Sequence, residues 1–103
     1  MAVAEELTML AEQGQTLRTL ALIAADEGQT GDAEGLLQRS IELLGQVGDN
    51  YGLACAQLSL AELYGRRGEQ ERSVALLATC RPVFERLGAA LELARVQALA
   101  PAA

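Results

Sequence analysis

The 103-residue sequence predicts an all-α protein, a solenoid of antiparallel helix pairs with about five helices. Three observations predict it. The first is composition: 19 Ala and 19 Leu, with Glu, Gln and Arg, stand against five Val and three aromatics (Tyr51, Tyr64 and Phe84). Strands favour β-branched and aromatic side chains, whereas the residues that dominate here are the best helix formers. The second is an internal repeat at a spacing of 40 residues that needs no gap. Gly28 falls on Gly68, Gly48 on Gly88, Leu20-Ala21 on Leu60-Ala61, Leu36-Leu37 on Leu76-Leu77 and Leu53-Ala54 on Leu93-Ala94. The third is that apolar residues between those glycines recur at i, i+3, i+4 and i+7, the period of one helix face.

Each element follows in order. Residues 2–13 carry the helical pattern in Val3, Leu7, Leu10 and Ala11, with Gly14 as a candidate break. The first pair places Leu17, Leu20, Ile23 and Ala24 on one helix and Ala33, Leu37, Ile41 and Leu44 on the next, capped by Thr30 or Asp32. In the second pair, Leu53, Ala56, Leu60, Leu63 and Tyr64 form two adjoining stripes, with Asp49 or Asn50 as the cap. Gly65 and Gly68 mark its stop, where Arg66-Arg67 suit the negative end of the helix dipole. Its partner helix carries Val74, Leu77, Phe84 and Leu87, flanked by Leu76, Cys80 and Val83, and ends at Gly88. Pro82 lies inside this helix, where a missing backbone donor predicts a kink. A last helix runs from about Ala89 to Leu99 and stops at Pro101. The chain reads as a single domain over 1–103: one unit at about 11–50, a second at about 51–90 and a capping helix at about 89–100. Leu20, Leu37, Leu60, Tyr64, Leu77 and Phe84 are expected in the core.

Composition also excludes functions. The chain has no histidine, so neither a Ser-His-Asp nor a Cys-His mechanism is available, nor a metal site that needs imidazole. Paired carboxylates occur as Glu5-Glu6, Asp26-Glu27 and Glu69 with Glu71, but each sits at a helix start or end without a convergent partner. No catalysis, cofactor or metal is expected. Eight Arg against fourteen acids give a net charge of −6, the wrong sign for a nucleic-acid footprint. That charge is uneven: nine acids and two Arg in residues 1–50 give −7, and five acids and six Arg in residues 51–103 give +1. Cys55 and Cys80, in apolar helical sequence, read as reduced core residues. The acidic start lacks the pattern of a signal peptide, and no apolar run is long enough for a bilayer. A cytoplasmic protein without a membrane partner is the expectation.

The repeat resembles a known family. The second unit reads Gln57-x-x-Leu60-Ala61-x-x-Tyr64, then Gly68, then Ser73-x-x-x-Leu77. The first reads Leu17-x-x-Leu20-Ala21-x-x-Ala24, then Gly28, then Ala33-x-x-x-Leu37. This is similar to the tetratricopeptide repeat, with its Trp-x-x-Leu-Gly-x-x-Tyr opening and later Ala-x-x-x-Phe. The chain departs from that pattern in lacking the Trp, in placing Ala21 and Ala61 at the Gly, and in lacking the terminal Pro. Its period of 40 also exceeds the usual value of about 34. The endings Val47-Gly48 and Leu87-Gly88 look like the long-period variant of kinesin light chains and of large bacterial STAND-type regulators with a nucleotide-binding core.

The resemblance implies a right-handed stack whose concave face binds a peptide or partner protein. By that resemblance the inward positions are Gln15, Arg18, Leu22 and Asp26, then Cys55, Leu58, Glu62 and Arg66, and finally Arg95. Of these, Gln15, Arg18, Asp26, Glu62, Arg66 and Arg95 are the partner-binding candidates. The three arginines suit carboxylates of a partner, and Asp26 and Glu62 suit neutralising those arginines within the groove. The Lys/Asn-rich clamp of chaperone-tail binders is absent. Two alternatives stand beside this reading: a ligand-sensing fragment of a larger bacterial regulator, and a self-assembling scaffold. For the scaffold, the terminal helices are apolar around much of their circumference (Leu7, Met9, Leu10; Leu91, Leu93, Val96, Leu99), which predicts a homo-oligomer through them.

Overall fold

A computed structural model describes residues 2–100, with side chains from Glu5 onward. Five helices account for nearly all of it: α1 (Ala2–Asp26), α2 (Thr30–Val47), α3 (Asn50–Arg66), α4 (Gln70–Leu87) and α5 (Ala90–Leu99). The side chain of Val3 and the stop expected at Pro101 lie outside the described residues.

The turns set the architecture. Gly28, Gly48, Gly68 and Gly88 take φ values of 83°, 73°, 79° and 66°. At Gly48 this left-handed cap would drive a Cβ against the following carbonyl, so glycine ends α2 without strain. Every turn then closes with the same backbone bond. Gln29 N–H donates to Ala24 at 2.8 Å, Asp49 to Leu44 at 3.0 Å, Glu69 to Tyr64 at 2.8 Å and Ala89 to Phe84 at 2.9 Å. This pattern satisfies carbonyls that a helix end otherwise leaves unpaired. The turns fall every 20 residues (28, 48, 68, 88), a finer beat than the 40-residue repeat of the side chains. A helix and its turn are one backbone unit, and only the side chains distinguish first helices from second ones.

α1 packs on α2 and α3 on α4 as antiparallel pairs, α2 joins the pairs through α3, and α5 lies on α4 and α3. The chain measures 49 × 32 × 19 Å, and its thin dimension is about two helix diameters. Within the pairs, helices approach at small residues. The Ser40 hydroxyl donates to the Gly14 carbonyl at 2.7 Å, and the Ser73 hydroxyl to the Ala61 carbonyl at 2.8 Å, so two buried hydroxyls are satisfied where the backbones come closest. One core cluster joins α1, α2 and α3 through Ala21, Leu37, Leu60, Leu63 and Tyr64. The other joins α3, α4 and α5 through Leu58, Leu77, Cys80, Phe84 and Val96.

The structure corrects several sequence expectations. Leu20 is 48% exposed, not core: its counterpart Leu60 is buried because α2 covers it, and no described helix plays that part for α1. Gly14 does not break α1. It is buried, and its missing side chain makes room for Leu44, whose Cγ would lie 2.7 Å from a Cβ there. Pro82 does not end α4, which runs on from Gln70 to Leu87 with Leu77 and Phe84 buried on either side of it. The buried line of α4 is Ser73, Leu77, Cys80 and Phe84, while Val74 and Leu87 are exposed. Gly65 lies inside α3 and leaves the stop to Gly68. Gln29 precedes α2 without a side-chain cap, so neither Thr30 nor Asp32 serves there. Asp49 does cap α3, accepting from Gly52 N–H at 2.9 Å. Cys55 and Cys80 are free and buried, and no described helix is long and apolar enough to cross a membrane.

Candidate functional site

The first helix of each pair lies beside the next, because α1 touches α3 and α3 touches α5. Three polar links stitch this face. Arg18 Nε of α1 donates to Ser59 Oγ of α3 at 3.4 Å. Glu62 of α3 forms an ion pair with Arg95 of α5. Tyr51 O–H donates to Glu92 Oε1 at 3.2 Å, and its ring meets Phe84 edge-on with centroids 6.2 Å apart. These residues recur at helical spacing, since Tyr51, Cys55, Ser59 and Glu62 advance by three or four along one stripe of α3.

The inward positions separate into two groups. Gln15, Arg18 and Glu62 are half-buried, and Leu22, Asp26, Arg66 and Arg95 are exposed. Cys55 and Leu58 are buried in the core cluster of α3, α4 and α5 and do not line the face. Burial pushes the Cys55 thiol above its ordinary value, an effect partly opposed by its hydrogen bond with Tyr51 and by the charge of Arg18. Leu22, Glu62 and Arg66 converge with Ser59 around a cleft of about 30 Å³ between α1 and α3. That space holds about one or two waters, so the cleft is no metabolite pocket. Arg18 joins this group through Ser59, and Arg95 joins it through Glu62. Asp26, at the end of α1, does not line the cleft. Gln15 lies towards Gly52, where its Nε2 stands 2.7 Å from the position of an added Cβ.

A second polar constellation was not visible in the sequence. Tyr64 O–H donates to Glu34 Oε2 at 2.7 Å, and Arg67 Nη1 pairs with Glu34 Oε1 at 2.7 Å. Arg67 Nε also meets Glu69 at 2.8 Å. The guanidinium groups of Arg67 and Arg72 lie 5.7 and 5.6 Å from the Tyr64 ring centre. The Arg67 hydrogen bond, then that of Tyr64, lowers the Glu34 carboxyl below its ordinary value of 4.5. Burial, then the Glu34 bond, raises the Tyr64 phenol. This cluster ties α2 to the α3–α4 turn and so joins the two pairs. One signal marked it: Tyr64 stands where the first repeat has Ala24.

Comparison with known proteins agrees with the geometry. The sequence profile of the tetratricopeptide repeat matches residues 12–86, which take in both Leu-Ala motif pairs, Tyr64 and all of α2 and α3. No curated protein and no solved structure matches the chain. Five helices in sequential antiparallel pairs and a profile match over most of the sequence agree, and the chain belongs to the tetratricopeptide repeat family.

Proposed function

We propose that the chain is a protein-interaction module without catalysis, which takes an extended peptide or a partner protein on the face of α1, α3 and α5. Repeats of this family generally mediate protein–protein interactions. The observation that carries the reading is the convergence of Arg18, Glu62, Arg66 and Arg95 on one continuous face above a cleft too small for a metabolite. Arg66 is exposed and has no ion pair among the described residues, so it is available to a carboxylate of the partner. Arg18 contributes a half-buried guanidinium to the same face, where its Nε makes a long bond to the Ser59 hydroxyl. Glu62 neutralises Arg95, and Gln15 and Asp26 extend the face at its ends. We read two full units, about 11–50 and 51–90, and a capping helix at about 89–100. The 40-residue spacing and the Val47-Gly48 and Leu87-Gly88 endings support a place among the long-period members, beside kinesin light chains and bacterial STAND-type regulators. Two free, buried cysteines suit the cytoplasm.

The test uses acidic peptides screened against the purified chain by fluorescence anisotropy. For a peptide that binds, combined Arg18→Ala and Arg66→Ala should weaken affinity by about tenfold or more, since two charge-assisted hydrogen bonds are lost. Affinity preserved within about twofold would remove the binding face from this position.

Self-association is the second reading, and one specific observation favours it. Met9, Leu20 and Ile23 near one end and Leu87 and Leu91 near the other are large apolar residues left exposed.

A further inference from the structure

The repeat supplies its own template for how an end of this stack is covered. In the second pair, the groove between α3 and α4 is filled by α2. There Leu60, Leu63 and Tyr64 of α3, with Leu76 of α4 against them, pack on Ala33 and Leu37. Leu60 and Leu63 are only 4% and 3% exposed as a result. Forty residues earlier the same groove runs between α1 and α2, lined by Leu17, Leu20, Ile23 and Leu36, and among the described residues nothing fills it. Leu20 and Ile23, the counterparts of Leu60 and Leu63, are 48% and 51% exposed. The groove comprises two open stretches of about 500 and 620 Å³ along the pair.

The opposite end carries a matching vacancy. On α3, Ala54 and Leu58 are buried in the core cluster with Leu77, Cys80 and Phe84 of α4, and the half-exposed Tyr51 ring meets Phe84 edge-on. The corresponding face of α5 is Leu91, Ala94 and Ala98, an i, i+3, i+7 stripe exposed along its length. Leu91, at 82%, is the most exposed large apolar residue described.

We infer that α5 of one copy lies in the α1–α2 groove of another, a head-to-tail contact that fills both vacancies at once. The inference rests on the self-association reading and fixes its geometry. Charge selects this arrangement over a symmetric one. Glu12, Glu27 and Asp32 line the groove with Arg39 as its one cation, so pairing groove to groove would set acids against acids. Residues 51–103 carry a net charge of +1 against −7 for residues 1–50, and Arg86 is exposed in the last turn of α4, so an α5 approach sets the less acidic half of one copy against the acidic half of another. A head-to-tail contact leaves one groove and one α5 free on every assembly, so it propagates beyond a dimer.

The experiment is sedimentation of the purified chain across a hundredfold range of concentration, with Ile23→Asp in the groove and Leu91→Asp on α5. Both positions are exposed, and an unchanged helical circular dichroism spectrum confirms that each variant is folded. The unaltered chain should increase in mass with concentration, past two chains, and less so at high salt. Each variant alone should be monomeric. An equimolar mixture of the two should form a dimer and stop there, because the intact α5 of the first fits the intact groove of the second. A monomer throughout for the unaltered chain overturns self-association itself and leaves the groove to a helix of some other origin. Association that survives either variant, or a mixture that stays monomeric, overturns the head-to-tail geometry while self-association stands.

Discussion

Gly14 shows how a single residue decides its own neighbourhood. Glycine inside a helix is ordinarily a cost of about 1 kcal/mol against alanine, because it gives up more backbone freedom on folding. Here the absent Cβ leaves space for Leu44, and the Gly14 carbonyl accepts the Ser40 hydroxyl at 2.7 Å. An added methyl would lie 2.7 Å from Leu44 Cγ and 2.8 Å from its Cδ2, and Leu44 is fully buried with nowhere to retreat. Overpacking of this kind costs about 1–3 kcal/mol, so it outweighs the propensity gain. Gly14→Ala should therefore lower the stability measured by urea unfolding. Gly45→Ala, exposed on α2 with open space around it, should raise stability by up to about 1 kcal/mol. Equal effects of the two changes would refute this account of the helix crossing.

At the scale of the element, α4 is the instructive helix. Its sequence carries a proline at a position where a helix normally loses a donor and meets a clash. The helix persists because Ser73, Leu77, Cys80 and Phe84 are buried on both sides of Pro82, and burial of this kind contributes about 1.5–3 kcal/mol for each large side chain. Tertiary packing outweighs the local cost, so the helix continues through Pro82. Pro82 is itself exposed, so Pro82→Ala restores the donor without disturbing the core. We expect a gain of about 1–2 kcal/mol, seen as a rise of about 5–15 °C in the thermal midpoint. An unchanged or lower midpoint would show that Pro82 is adapted to α4 and not merely tolerated by it.

At the scale of the whole molecule, stability depends on how one pair is joined to the next. Besides the shared core of α2 and α3, that joint holds Glu34, Tyr64 and Arg67, with Glu69 and Arg72 around them. Arg67, then Tyr64, holds the Glu34 carboxyl below 4.5 in the folded state. A group whose folded value is lowered contributes stability that is fully present above its unfolded value. That contribution is lost as pH falls through the folded value. Glu34→Gln should therefore destabilise the chain most near neutral pH. The gap to the unaltered chain should narrow as pH falls below 4.5, in parallel urea titrations. A gap independent of pH would mean that packing, and not charge, dominates at the joint.

The sequence by itself determined the helices, the glycine turns and the 40-residue beat, because each depends on local chemistry. A left-handed cap needs glycine, and an amphipathic stripe needs spacing that any single helix displays. It also marked Leu37, Leu60, Tyr64, Leu77 and Phe84 as core, since these lie on interfaces between helices that are both present. What the tertiary structure alone decided was whether a partner exists. Leu20 and Leu60 are the same residue at the same place in the repeat, yet one is exposed and the other buried, because among the described helices α2 packs on that face of α3 and none packs on that face of α1. The Glu34–Tyr64 bond spans 30 residues, and the Arg95–Glu62 pair spans 33. No periodicity within one helix carries such pairings. They depend on how side chains from separate helices meet once the stack has formed, which is a property of the packing and not of any one segment.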